Sequence, residues 1–217
     1  MKKIFIFSML LFFGQLSWSY ATLINFRSSD FSSANGLSSF SYNPAGLTIN
    51  ALPSSAMLYQ DSTDGIGIRY SYENDEIEEA ELLHLSFSTS QYLEEILLTD
   101  LFYEPYNDKS GSYCEIGQYS FDNSHWVPFE ADFNQQPGTN GELTLSFLPS
   151  TIITDIWFTA PGLENWDDNF GGYLEDHEFS LAQIEVSATP TPEPATILLL
   201  GSGLIGFVGF RKRFRNE

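Results

Sequence analysis

Glu81-Leu-Leu-His-Leu-Ser-Phe-Ser88 puts Leu83, Leu85 and Phe87 on one side of an extended chain and His84, Ser86 and Ser88 on the other. Successive side chains of a strand point to opposite faces, so a period of two marks a half-buried strand. The pattern recurs elsewhere. Leu143, Leu145 and Phe147 alternate with Glu142, Thr144 and Ser146, while Ile152, Ile156 and Phe158 share a face with Thr154 between them. Residues 66–70 and 179–186 read in the same way. Clusters of turn-forming residues at 61–65, 107–111, 136–141 and 161–162 separate these runs. Many short strands without a long amphipathic helix predict an all-β fold, an antiparallel β-sandwich. Tyr92-Leu-Glu-Glu-Ile-Leu-Leu98 has apolar spacing that fits a helix, but Ile96-Leu-Leu-Thr-Asp-Leu-Phe102 fits a strand, and a sandwich has a slot for it. Residues 22–50, rich in Ser, Asn and Gly, are expected to form a loose entry strand with long loops.

The 217 residues suit one medium domain plus processing segments. The 19 Phe, 11 Tyr and 4 Trp are enough to fill a core, which excludes wholesale disorder. The formal net charge of −20 argues against a nucleic-acid partner, because phosphate binding needs Lys and Arg. Six of the nine basic residues lie at the two ends, and residues 22–189 hold only Arg27, Arg69 and Lys109 against 27 acids. So acidic a domain repels phosphate and anionic lipid and favours cations or neutral partners. The single cysteine, Cys114, excludes an internal disulfide framework and reads as a small buried hydrophobe.

Lys2 and Lys3 open the chain, residues 4–13 are apolar except for Ser8, and Ser19-Tyr20-Ala21 sets small residues three before and one before a cut. This is the pattern of a secretory signal peptide, residues 1–21, cleaved by signal peptidase after Ala21. The apolar run is short for a bilayer span. At the other end, Thr189-Pro-Thr-Pro-Glu-Pro194 excludes helix and central strand and reads as an extended linker. From Ala195 to Phe210 there is no charge, and Arg211, Lys212, Arg213 and Arg215 follow. Sixteen helical residues rise about 24 Å, slightly less than a hydrocarbon core of roughly 30 Å, a gap that snorkelling arginines close. The basic cluster belongs on the cytoplasmic side, with the acidic domain outside. A permanent C-terminal anchor is the alternative reading of the same segment.

The triplet Pro192-Glu193-Pro194, the Gly-punctuated apolar helix Ala195-Thr-Ile-Leu-Leu-Leu-Gly-Ser-Gly-Leu-Ile-Gly206 and the basic end, in that order, resemble the PEP-CTERM sorting signal of Gram-negative bacteria. The resemblance implies processing by an exosortase near the triplet. It also implies transient insertion of 195–210 in the inner membrane and release of the domain to the cell surface or extracellular matrix. Members of this family accompany exopolysaccharide and biofilm-matrix systems. The organisation expected is a signal peptide (1–21), an ectodomain (22–189) and the sorting signal (190–217), divided into a Pro-rich motif (190–194), a transmembrane helix (195–210) and a basic tail (211–217). The middle of the chain also resembles PEP-CTERM ectodomains, in Gly65-Ile-Gly-Ile68, Asn74-Asp-Glu-Ile77, Leu82 to Phe87 and the closing Asp176-His-Glu-Phe-Ser-Leu-Ala-Gln-Ile-Glu-Val186. That resemblance implies a jelly-roll-like sandwich.

No nucleophile elbow, zinc-protease helix or phosphate-cradling glycine loop occurs, and the histidines are His84, His125 and His177 only. Asp61-Ser-Thr-Asp64-Gly65 and Asp167-Asp168-Asn169-Phe-Gly171 set oxygen ligands on turns beside glycines, which suits a hard cation such as calcium. The same residue types are ordinary turn formers. The acidic run 73–81 reads most simply as a solvated loop. Trp126, Trp157 and Trp166, with Tyr103 and Tyr106, are the aromatics available to stack on a sugar, and core or rim packing is the competing reading for each tryptophan. The reading that follows is an exported, exosortase-sorted, non-catalytic surface or matrix protein, structural or exopolysaccharide-associated. A calcium-dependent carbohydrate-binding module is the alternative, and a secreted glycoside-acting enzyme a distant one.

Overall fold

The computed structural model describes residues 21–69, 76–78, 81–105, 112–131, 141–161, 177–189 and 201–203. Ala21–Ala188 forms one compact unit. The described residues of this unit form thirteen strands: β1 (Ala21–Asn25), β2 (Ser39–Tyr42), β3 (Leu47–Leu52), β4 (Met57–Gln60), β5 (Ile66–Arg69), β6 (Leu82–Thr99), β7 (Tyr103–Pro105), β8 (Ser112–Cys114), β9 (Ile116–Ser120), β10 (Val127–Glu130), β11 (Leu143–Ser146), β12 (Ile152–Thr159) and β13 (Ser180–Ala188). Every pairing among them is antiparallel. Eleven strands make one continuous sheet, and β7 and β8 pair separately.

The sheet is organised around β6, which is 18 residues long. Its first half pairs with β3 on one edge and β12 on the other. Its second half pairs with β13 and β11. Two leaves result, β2-β3-β6-β12-β9-β10 and β11-β6-β13-β5-β4, with β1 on β13 beside β5. Among the described strands, the ladder passes from one leaf to the other through β6, which both share. Their inner faces line a single apolar core, in which Ile49, Leu58, Ile66, Ile68, Leu83, Leu85, Leu93, Ile96, Leu98, Ile156, Phe158, Phe179 and Ile184 are all fully buried. This is the antiparallel sandwich expected from the alternation.

The ambiguous stretch 92–98 is strand, and its helix-like spacing has a specific cause. Leu83, Leu85, Phe87 and Leu93 are buried at odd positions, whereas Ile96 and Leu98 are buried at even ones. Against β13 the register steps from Glu185↔Glu95 to Val186↔Leu93, so Glu94 is an extra residue, a β-bulge. An extra residue turns a spacing of two into three, and Leu93, Ile96 and Leu97 then imitate a helical face. The unmatched main chain is used: the Glu94 carbonyl accepts Phe147 N–H at 2.9 Å.

Two expectations are corrected. The first is that 22–50 is loose. It forms β1, β2 and β3 with two 3-10 turns, Ser29–Ala34 and Asn43–Ala45, and it buries Ile24, Phe26, Phe31, Ala34, Leu47 and Ile49. Ser, Asn and Gly are common loop formers, but Ser39 and Ser41 occupy the outer face of a paired strand. The second is that Ile152 shares the buried face of Ile156 and Phe158. Ile152 is exposed and Ile153 buried, because β12 has a register irregularity between Ile153 and Asp155. β1 opens at Ala21, where the cut is expected, and its first buried side chain is Ile24. The side chain of Cys114 and most of the acidic run lie outside the described residues.

The bulge makes a testable statement about β6. Leu93→Ala and Ile96→Ala should each cost about 2–5 kcal/mol by cavity formation, whereas Glu94→Ala and Glu95→Ala should stay within about 0.5 kcal/mol. Urea unfolding midpoints measure this, and a Glu95 cost matching that of Ile96 would place the bulge elsewhere.

Candidate functional site

A straight row of residues crosses five strands on the outer face of the first leaf. Ser39 on β2 faces Asn50 on β3, Asn50 faces His84 on β6, His84 faces Trp157 on β12, and Trp157 faces Ser120 on β9. The period of two puts all five on the side opposite the core. Side-chain contacts link the row from Ser39 to Trp157. Ser39 Oγ donates to Asn50 Oδ1 at 2.7 Å, and Asn50 Nδ2 lies 3.5 Å from His84 Nδ1. His84 Nε2 lies 2.9 Å from Asp155 Oδ1. Asp155, a carboxylate, accepts from His84 Nε2, and the Asn50 amide stands at the other ring nitrogen. His84 also stacks flat on Trp157, with centroids 4.5 Å apart and planes within 2°.

Burial works to raise the Asp155 carboxyl, but hydrogen bonds from His84, then Ser86 and Thr154, outweigh it and hold the group below its usual value. At the far end of the row, Ser120 Oγ donates to Asp122 Oδ1 at 3.1 Å. Asp122 Oδ1 accepts the main-chain N–H of Ser124 and of His125, each at 2.8 Å, and its Oδ2 accepts a hydrogen bond from His125 Nδ1 at 2.6 Å. The His125 contacts, then those of Ser124, hold this carboxyl far below the ordinary range. Nearby at the rim of the core, Tyr119, Phe121 and Phe147 cluster with centroids 5.3, 5.6 and 6.0 Å apart.

Of the expected sugar-stacking residues, Trp157 does point outward, half-buried between flanking Ile156 and Phe158 that are fully buried. One face of its ring is covered by His84, and the residue as a whole keeps only partial exposure. Trp126 is half-buried just before β10. Trp166, Tyr106 and the Tyr103 side chain lie outside the described residues. His177 is buried, and its Nδ1 accepts Ile116 N–H at 3.3 Å.

Of the expected cation ligands, Asp61 serves its own turn. Its Oδ1 accepts Thr63 N–H at 2.6 Å and Asp64 N–H at 2.8 Å. Asp64 lies at the end of β6, where Thr99 Oγ1 donates to its main-chain carbonyl at 2.7 Å. Asp167, Asp168 and Asn169 lie outside the described residues, as do Pro192, Glu193, Pro194, Ala195, Phe210, Arg211, Lys212, Arg213 and Arg215. Residues 201–203, within the expected sorting helix, are helical. Among the described residues no helix is long and apolar enough to cross a membrane, and no three His, Cys, Asp or Glu side chains are grouped to hold a metal. The sequence did not single out Asn50, Asp155 or Asp100. The partners of His84 follow from cross-strand register, which alternation alone does not specify.

A family model for the PEP-CTERM protein-sorting motif matches residues 190–213. The chain carries a PEP-CTERM sorting motif. That motif marks an exosortase-targeted surface protein, exported and sorted at the membrane. None of the curated proteins matches the chain in sequence. Among solved structures, one similar to it is CBM32-3 from a family 31 glycoside hydrolase from Clostridium perfringens. The identity is 14%, the TM-score 0.27, and the match covers 79% of this chain and 88% of that one. The fold is read from the strands themselves.

The His84–Asp155 contact predicts an acid limb in stability. A carboxyl held below its usual value stabilises the fold above the ordinary carboxylate range, and the contribution is lost as pH falls through the lowered value. The melting temperature of the native chain should exceed that of Asp155→Asn near neutrality, and the gap should shrink as pH falls from about 4 towards about 2. Thermal scans across that range test it, and a gap independent of pH would remove Asp155 from the pair.

Proposed function

We propose that this PEP-CTERM protein is a non-catalytic component of the cell surface or extracellular matrix, structural or exopolysaccharide-associated. The single observation carrying the reading is the sorting motif at 190–213. It sits behind a leader with the pattern of a signal peptide, so two membrane machines act in turn. Signal peptidase removes residues 1–21, and the apolar 195–210 segment then holds the acidic domain at the inner membrane, basic tail inside, until an exosortase cuts near Pro192 to Pro194. With 27 acids against three bases in residues 22–189, the released domain repels anionic lipid and stays soluble beside neutral polysaccharide. Mass spectrometry of the protein recovered from the host surface should find a C-terminus near Pro192 to Pro194, and deletion of the exosortase should leave the intact tail. An intact tail in an exosortase-competent host would make the segment a permanent anchor.

A second reading, carbohydrate binding by the outer face, is favoured by one feature, the partly exposed Trp157 within a row of hydroxyl, amide, imidazole and carboxylate groups. Sugars are recognised by an apolar ring against their C–H face and by polar groups at their hydroxyls. Retention on the host's exopolysaccharide should then fall several-fold in Trp157→Ala, with circular dichroism unchanged. Equal retention of the two proteins would assign the row to sheet stability.

A further inference from the structure

We infer that Asp100, with Asp64 as its partner and Asp61 and Glu178 around it, forms a divalent-cation site, calcium by preference, at the end of β6. Three segments meet there. Asp100 directly follows β6, Asp61 and Asp64 belong to the 61–65 turn between β4 and β5, and Glu178 precedes β13. The turn is held close from two sides. Thr99 Oγ1 bonds the Asp64 carbonyl at 2.7 Å. Gly65, at φ +120°, packs so tightly on β13 that a Cβ there would stand 2.3 Å from the Leu181 carbonyl oxygen. The acidic residues are thus brought together by the fold, not by nearness in sequence.

The observation that points to a ligand is the state of Asp100 itself. The residue is only 8% exposed, and its Oδ2 is fully buried with no hydrogen-bond partner. A buried polar atom left unpaired carries its full desolvation cost. The charged groups acting on Asp100 are Asp64, then Asp61, then Glu178, all of its own sign. Burial first, and these carboxylates second, work against a negative charge on Asp100, while a hydrogen bond from Thr99 works for it. Such a group is stabilised by positive charge. A hard cation supplies it and takes oxygen ligands from carboxylates, main-chain carbonyls and water. Among the described residues no three His, Cys, Asp or Glu side chains are grouped to hold a metal; the inferred site therefore needs only two carboxylates, Asp100 and Asp64, with water completing the shell. Calcium tolerates that irregular set, whereas magnesium demands an octahedron and gives up water reluctantly.

The consequence is a clamp. A bound cation ties the 61–65 turn, the end of β6 and the start of β13 at one end of the sandwich. Weak affinity, on the order of 10⁻⁴ to 10⁻³ M, suffices outside the cell.

The test uses the full chain, purified in mild detergent near pH 8. Calcium chloride should raise its melting temperature more than NaCl of matched ionic strength, which only screens, and more than magnesium chloride. Asp100→Asn should abolish the calcium-specific shift, and Asp64→Asn should weaken calcium binding roughly ten-fold by calorimetric titration, since affinity follows ligand charge. Asp30→Asn, on an exposed turn, should keep the full response. Equal shifts with calcium and matched NaCl would overturn the site. So would a calcium response that survives Asp100→Asn, or, if that variant does not fold, an affinity unchanged in Asp64→Asn. None of these outcomes bears on where the C-terminus is cut, so the site and the sorting reading stand or fall separately.

Discussion

The hydrogen bonding of one strand to both leaves is the constraint on which the rest of the domain depends. β6 pairs directly with β3, β11, β12 and β13, and every other strand of the main sheet reaches it through one of those four. A strand of 18 residues cannot keep one strict alternation while serving two leaves of a twisted sandwich. The bulge at Glu94 resolves this: it moves the buried set from odd to even positions, so Leu83 and Leu98 both face the same core. Without the extra residue, one half of β6 would present its Leu and Ile to water. The irregularity of β12 between Ile153 and Asp155 does the same work on the neighbouring strand, burying Ile153 and Ile156 three residues apart.

Chemistry is distributed over this frame in two ways. Where β6 is regular, its outward side chains line up with those of β2, β3, β12 and β9, and a row forms from Ser39 to Ser120 whose side chains are in contact from Ser39 to Trp157. Where β6 ends, the chain turns through Asp100 at φ +59°, and carboxylates from three segments gather. The row is nearly satisfied by its own contacts, whereas at the end of β6 the buried Oδ2 of Asp100 has no hydrogen-bond partner. Positive side chains are scarce in the domain, and those described are engaged: Arg27 pairs with Glu142 at 2.9 Å, and Arg69 stacks over the Tyr59 ring at 3.8 Å. Acidic groups that meet must therefore rely on protons, cations or solvent rather than on Lys and Arg.

How much was legible in the sequence depended on how local the physics was. Leu83, Leu85 and Phe87, like Leu143, Leu145 and Phe147, alternate strictly and predicted their strands directly. β9 was harder to see, because Gly117 stands where a side chain would mark the inner face. The Phe129 ring fills that space, with ring carbons 2.2 Å from where a Cβ would be. β2 and β3 were hidden by serines and asparagines that look like loop residues until a neighbouring strand pairs with them. Asp61 illustrates the limit from the other side: as a ligand or as a turn former its sequence is the same, and only its bonds to Thr63 and Asp64 N–H show the turn.

The sequence by itself determined what is written in contiguous residues: the all-β class, through its period of two, and the sorting motif at 190–213, through a proline triplet, an apolar run and a basic end in fixed order. Such signals are read along the chain, by a membrane and its enzymes or by the pleat of a strand. The tertiary structure alone decided the phase shift at Glu94, the stacking of His84 on Trp157, and the meeting of Asp100 with Asp64 and Glu178. Each depends on strand register, and register is set by which partner buries the most apolar surface, a property of the whole sheet that no single stretch of sequence contains.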